Sequence, residues 1–231
     1  GLSPLFIVVL ALLTAIAPLA TDMYLAALPA VAENLNTTST NASLTLSGFM
    51  VGMALGQLIV GPLSDKTGRR KPLLIGAVIC FIATVACGFA PNIELLIFAR
   101  FMMGFTGSIG AVLARSIVAD TTEGLATAKL MGVMMMINGF APVLAPLFGG
   151  WVLSWGNWRD IFHVLGVVTA IMMLGVIFVI KETLPVEERY QGTALSVYSE
   201  LPKVFKIRRY LGFMLIFARF MMGFTGSIGA V

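Results

Sequence analysis

Charge is scarce in this chain. Of its 231 residues only 11% are Asp, Glu, Lys or Arg, whereas 58% are hydrophobic and the mean hydropathy is +0.97. That balance lies outside the range of soluble domains and excludes a water-soluble enzyme or nucleic-acid-binding module. There is one histidine, His163, and there are two cysteines, Cys80 and Cys87. Seven residues apart on one helix, these thiols stand about 10 Å from each other, too far for a disulfide. They read as small buried apolar groups, and no metal site is expected. A nucleotide-binding glycine loop and a catalytic triad are likewise missing, which argues against an enzyme and against a pump driven by hydrolysis. No basic leader precedes the first apolar segment, which is also too long for a cleaved signal peptide.

Long apolar runs fill the space that charge leaves. A hydrocarbon core about 30 Å thick needs about 20 apolar residues per helix. Six segments meet that length, at roughly 5–30, 43–63, 72–90, 93–114, 128–152 and 160–181, and a seventh begins near Tyr210 and runs to Val231. Backbone groups in lipid must pair internally, and runs this continuous suit helices and exclude a barrel. The expected fold is an all-α membrane bundle of six helices plus the start of a seventh. Orientation follows the basic residues. Lys66, Arg69, Arg70, Lys71, Arg115, Lys129, Lys181, Arg189, Lys203, Lys206, Arg208 and Arg209 border the even-numbered connections, against Arg159 alone on the other side. This places the N-terminus and the even connections in the cytoplasm, and the net charge of +4 reports topology, with no nucleic-acid partner.

The organisation reads as a six-helix bundle over 1–181, a polar linker over 182–209 and a partial seventh span over 210–231. In the linker, Leu195, Tyr198, Leu201 and Phe205 recur at helical spacing opposite Lys203, Lys206 and Arg208, the pattern of an amphipathic helix on the inner membrane surface. The end of the chain is anomalous. Leu215 to Val231 repeats Leu96 to Val112 without a change, whereas structural repeats in transporters are weak in sequence. The copy would also cross the membrane in the opposite direction. It reads as a foreign ending, and Arg219 is given no role.

Two charges fall inside the spans. Asp22 lies about 26 Å along the first helix by rise per residue, after Pro18, which should bend the helix just before it. Arg100 sits about 12 Å below the outer surface in the fourth helix, within about two turns of Asp22 in depth. Ionisable groups inside a span are costly and face a polar cavity or a partner, so a salt bridge between the two is expected. Asp22 at the interface and Arg100 snorkelling outward are the alternatives. The fifth helix holds Gly139, Pro142, Pro146, Gly149 and Gly150. Prolines four apart should kink it, and its glycines should admit a neighbouring backbone. The short loop Gly61-Pro-Leu-Ser-Asp-Lys-Thr-Gly-Arg-Arg-Lys-Pro72 is a tight cytoplasmic turn. There Gly61 should permit close approach, and Asp65 can pair with Arg69 or cap a helix.

That loop resembles the signature between the second and third helices of the major facilitator superfamily, matching at Gly61, Leu63, Asp65, Gly68, Arg69 and Arg70. The string Ala20-Thr-Asp-Met-Tyr-Leu-Ala-Ala-Leu-Pro29 resembles that of the bicyclomycin/chloramphenicol-resistance (Bcr/CflA) drug exporters. Further agreement lies at Thr45-Leu-Ser, Gly52 with Gly56-Gln57, Arg100-Phe with Gly104, Ala141-Pro-Val-Leu-Ala-Pro with Gly149-Gly150, Trp158-Arg159 with Phe162, and Glu182-Thr-Leu-Pro185. Three departures stand out. Ala26 replaces a usual proline, which should straighten the first helix after Asp22; Met103 replaces a frequent glutamine; the C-terminal half of the family plan is absent.

The resemblance implies the N-terminal half of a proton-coupled exporter of small organic drugs in the bacterial inner membrane. Asp22, Arg100 and Tyr24 would couple proton and substrate. Gly61, Asp65, Gly68, Arg69 and Arg70 would gate the cytoplasmic side, and Gly139, Pro142, Pro146 and Gly149 would seal the central path. The implied partners are lipid, protons, a small organic substrate and the missing half or a second copy; no cofactor is needed beyond the proton gradient. Two other readings stay open: a non-transporting fragment or partner of a full-length transporter, and a facilitator of sugar or metabolite uptake.

Overall fold

The computed structural model describes residues 3–192. Seven α-helices follow in order: α1 Pro4–Leu25, α2 Leu28–Asn34, α3 Ser39–Thr67, α4 Arg70–Gly88, α5 Ile93–Thr121, α6 Gly124–Trp155 and α7 Trp158–Val179. All except the short α2 are long and apolar enough to cross a membrane, so the expected six-helix, all-α architecture is present. The chain divides into two compact units, Gly1–Arg189 and Tyr190–Val231. The amphipathic helix expected over residues 195–208, the seventh span 210–231 and its repeat lie outside the described residues.

The first apolar segment is two helices, and here expectation fails for a physical reason. A proline has no N–H to give to the carbonyl four residues back, and its ring collides with that carbonyl. Pro29 therefore ends α1 at Leu25, and the chain turns through Ala26 and Ala27 before α2 begins with Pro29 in its first turn. Alanine at position 26 does not straighten the helix, because the break is set three residues later. Pro18 interrupts one backbone bond, yet α1 runs on past it as α-helix.

Several helices outrun the apolar stretch that identified them, because polar end residues supply caps. The Thr38 hydroxyl accepts from the Asn41 N–H at 3.2 Å to start α3, and Asn92 accepts from Leu95 N–H at 2.9 Å to start α5. Asn157 and Asp160 form a reciprocal capping box for α7. Within the spans, threonines satisfy themselves by donating one turn back, as Thr14 does to Leu10 and Thr84 to Cys80.

Helix α5 is the centre of the bundle, lying against α3, α4 and α1, while α6 packs on α1 and α7 packs on α4 and α1. The α3–α5 crossing is made by glycines. A Cβ built on Gly52 or Gly56 would strike the carbonyls of Phe101 and Phe105, and one on Gly104 would strike the carbonyl of Phe49. Backbone thus meets backbone from both sides, the closest packing two spans can make. Gly149 of α6 meets the backbone at Met23 of α1 in the same way. Large apolar side chains such as Leu58, Ile59, Ile82, Phe98, Phe148 and Phe178 point outward, as a lipid-facing surface requires.

At the end of the bundle away from the basic loop, three elements are tied together. The Arg159 guanidinium donates to Asn34 Oδ1 at 2.6 Å and to the Ala90 carbonyl at 3.1 Å. It also lies 4.2 Å from the centre of the Trp158 ring, while Trp158 Nε1 donates to Asn34 at 3.3 Å. These bonds link the ends of α2 and α7 to the α4–α5 connection.

The glycine crossing makes a clear stability prediction. Gly104→Ala places a methyl against a backbone carbonyl that cannot swing away, and should lower stability by about 1–3 kcal/mol. Gly132→Ala, on a part of α6 where no described atom lies within 4 Å of the new Cβ, should leave the melting temperature in detergent unchanged.

Candidate functional site

Arg100 is the most deeply buried charge in the bundle, with no exposed surface. It is held by α5 at the level where α1, α3 and α7 converge. One Nη1 hydrogen goes to the Ala20 carbonyl at 3.0 Å, and the Met103 thioether, a weak acceptor, lies 3.9 Å from the same nitrogen. Among the described residues, Nε and Nη2 have no acceptor. The charge is instead surrounded by rings: its central carbon lies 4.5 Å from the centres of both Tyr24 and Phe49 and 5.7 Å from Phe162.

The expected Asp22–Arg100 ion pair is not made. The two residues do share a depth, since Arg100 bonds to Ala20, two residues from Asp22. Direction decides the outcome: Ala20 and Tyr24 share the buried face of α1, whereas two residues rotate the helix by about 200°. Asp22 is only half-buried and has no ion pair or hydrogen bond among the described residues. Neither does Arg100 snorkel. Tyr24 is fully buried, and its hydroxyl lies 2.8 Å from Thr45 Oγ1. Thr45 gives its own proton to the Ala42 carbonyl at 2.5 Å, so the tyrosine is the donor of the pair and its ring plane is fixed.

The second cluster lies where α3 ends, α4 begins and α5 ends. Arg69 forms an ion pair with Asp65, donates from Nε to Asp120 at 2.9 Å and from Nη1 to the Ser64 hydroxyl at 2.8 Å. Asp65 thus has the local partner expected for it. Sequence reasoning missed Asp120, a lone carboxylate at a helix end, and it did not anticipate the role of Glu182. That carboxylate accepts from the backbone N–H of Arg69 at 2.8 Å and of Arg70 at 3.4 Å. It thereby caps α4, whose own N-cap side chain makes no such bond. Thr183 N–H and Leu184 N–H add bonds of 3.1 Å each, and Arg189 lies 3.5 Å away. Thr183 also donates to Asp120 at 3.1 Å. Arg70 turns elsewhere, to the Ile177 carbonyl at 3.3 Å. Gly68 has φ of 90°, and a Cβ there would fall on the Glu182 carboxylate, so the loop needs glycine twice over.

The remaining sequence candidates separate. Gly149 makes the close approach expected of it, whereas no described atom lies within 4 Å of a Cβ built at Gly61 or Gly139. For these two, the anticipated backbone contact is not made among the described residues. Pro142 and Pro146 are exposed, and α6 passes through both as continuous α-helix.

Burial by itself would raise the Glu182 carboxyl, but the N–H groups of Arg69, Leu184, Arg70 and Thr183 outweigh it and hold the group below the usual carboxylate range. A carboxyl depressed on folding contributes stability above its unfolded pKa, about 4.3, and that contribution fades as pH falls through the folded value. Glu182→Gln should therefore cost about 1 kcal/mol at neutral pH, a modest figure because the group is partly solvated. The gap from wild type should close in strongly acid buffer, as read by thermal unfolding across a pH series.

Comparison with known proteins fits this geometry. Residues 10–231 match the Major Facilitator Superfamily. The chain is 38% identical over 208 residues to "Uncharacterized MFS-type transporter YdgK" of Bacillus subtilis, spanning 89% of this chain and 52% of that protein. It is 28% identical over 210 residues to "Bicyclomycin resistance protein homolog" of Haemophilus influenzae, spanning 91% of this chain and 53% of that protein. Among solved structures, the proton:xylose symporter XylE superposes with a TM-score of 0.67 at 16% identity, over 78% of this chain and 45% of that one. The chain thus spans about half the length of the curated relatives it matches. Six spans, the basic loop around Arg69 and a match over residues 10–231 identify one lineage: the chain is a multi-pass membrane protein of the Major Facilitator Superfamily.

Proposed function

We propose that this chain forms the N-terminal half of a proton-coupled exporter of small organic drugs, in a bacterial inner membrane, with its N-terminus in the cytoplasm. The observation that carries the reading is the Arg100 guanidinium of α5, buried among α1, α3 and α7 with no carboxylate on it among the described residues; its carbonyl acceptor, Ala20, lies two residues along α1 from a half-buried Asp22. Ionisable groups in a span are retained for transport work. A likeness to a protein named for bicyclomycin resistance supports drugs as cargo.

In this reading the intact transporter alternates between inward- and outward-open states around a site between its two halves, and this chain supplies one wall. Asp22 takes up a proton as substrate leaves and releases it on the other side, with Arg100 and Tyr24 shaping the α1 face of the site. The Arg69 cluster gates the cytoplasmic end. In α6, Gly149 keeps the helix tight against α1, and Pro142, Pro146 and Gly139 set its outward profile toward the opposite wall.

Drug accumulation in a hypersensitive bacterium, with the chain present as part of the full-length transporter, tests this. Wild type should lower accumulation and a protonophore should restore it. Asp22→Asn should cut proton-driven efflux at least tenfold, about 1.4 kcal/mol or more. Undiminished efflux in that variant would rule out Asp22 as the coupling carboxyl.

A further inference from the structure

Arg100 poses a problem that its hydrogen bonds do not solve. An arginine remains charged under all ordinary conditions, and this one has no exposed surface. Among the described residues its only oxygen acceptor is the Ala20 carbonyl, and Nε and Nη2 have none. Among the described residues no carboxylate pairs with it. Something else must make the charge tolerable.

Three aromatic side chains, from three different helices, are in position to do so. Tyr24 of α1 and Phe49 of α3 each place a ring centre 4.5 Å from the guanidinium carbon, and Phe162 of α7 places one at 5.7 Å. All lie within the roughly 6 Å over which a cation is drawn to the negative face of a ring. All three are fully buried, so water does not screen the attraction. The rings are also braced. Tyr24 is held through its hydroxyl by Thr45 at 2.8 Å and stands 5.4 Å from Phe162, tilted by 51°. Phe162 in turn meets Trp158 edge-on at 6.1 Å. Phe49 is locked by the α3–α5 crossing, where its carbonyl lies against Gly104.

We propose that Tyr24, Phe49 and Phe162 form a π cage that holds the Arg100 charge in place of a counter-ion, with Phe49 and Phe162 acting as positioning residues for it. The cage meets the charge but not the N–H groups. It therefore keeps the arginine desolvated and still able to donate two hydrogen bonds to an entering acceptor: the Asp22 carboxylate after a rotation of α1, or an anionic or carbonyl oxygen of a substrate. This functional consequence rests on the exporter reading; the cage itself does not.

Fluorination separates the cage from ordinary packing, because each added fluorine drains the negative face of a ring while barely changing its shape. Mono-, di- and trifluorophenylalanine are introduced at position 162, and separately at position 49, and thermal unfolding of the whole chain is followed in detergent. A stepwise fall in the midpoint, on the order of 2–4 °C across the series, is expected with Arg100 present, and no trend in an Arg100→Met background. A flat series, or equal slopes in both backgrounds, would overturn the cage. If Arg100→Met does not fold, nitrogen-labelled arginine provides the second readout. The Arg100 Nε–H resonance should be displaced by the surrounding rings and relax toward the ordinary position in Phe162→Leu; an undisplaced resonance overturns the proposal. Neither measurement involves efflux, so failure of the cage and failure of drug export are told apart.

Discussion

A positive charge stripped of water at the centre of a membrane bundle constrains everything around it. Taking an ion out of water costs several kcal/mol even after relaxation. One charge-assisted hydrogen bond returns about 1.5–3 kcal/mol, and a ring face about 0.5–2 kcal/mol. No single partner of Arg100 covers the cost, but the Ala20 carbonyl and three rings together come close. Those partners come from α1, α3 and α7. The arginine therefore specifies how three helices assemble on α5 as well as occupying the space between them.

Small residues make that convergence possible. Gly52, Gly56 and Gly104 bring the α3 and α5 backbones into contact, which sets Phe49 close enough to lie over the guanidinium. The same crossing runs toward the basic loop, where Arg69, just beyond α3, reaches Asp120 in the last turn of α5. One line of close packing thus joins the buried cation to the charged cluster at the helix ends.

What was legible in the sequence follows from what leaves a local trace. Six spans were visible because about 20 consecutive apolar residues suit little besides a membrane helix. The loop charges were visible because they stand in tight sequence register. The break before α2 was encoded in Pro29 but hidden by the apolar residues on both sides. The Asp22–Arg100 pairing failed because rise per residue yields depth, while azimuth depends on which face of α1 packs inward. The contacts of Phe49 and Phe162 with Arg100 were silent because an aromatic residue within an apolar run looks the same whether it faces lipid or a cation. The capping role of Glu182 was silent in a different way, since the N–H groups it caps lie 112 and 113 residues earlier in the chain.

The knot of Asn34, Arg159, Trp158 and the Ala90 carbonyl fastens one rim of α2, α4 and α7, and at the other rim the Glu182 cap fastens α3, α4 and α5 to the strap after α7. Among the described residues, neither fastening includes a side chain of α6. Helix α6 is held instead by its packing on α1, where Gly149 lets the two backbones meet.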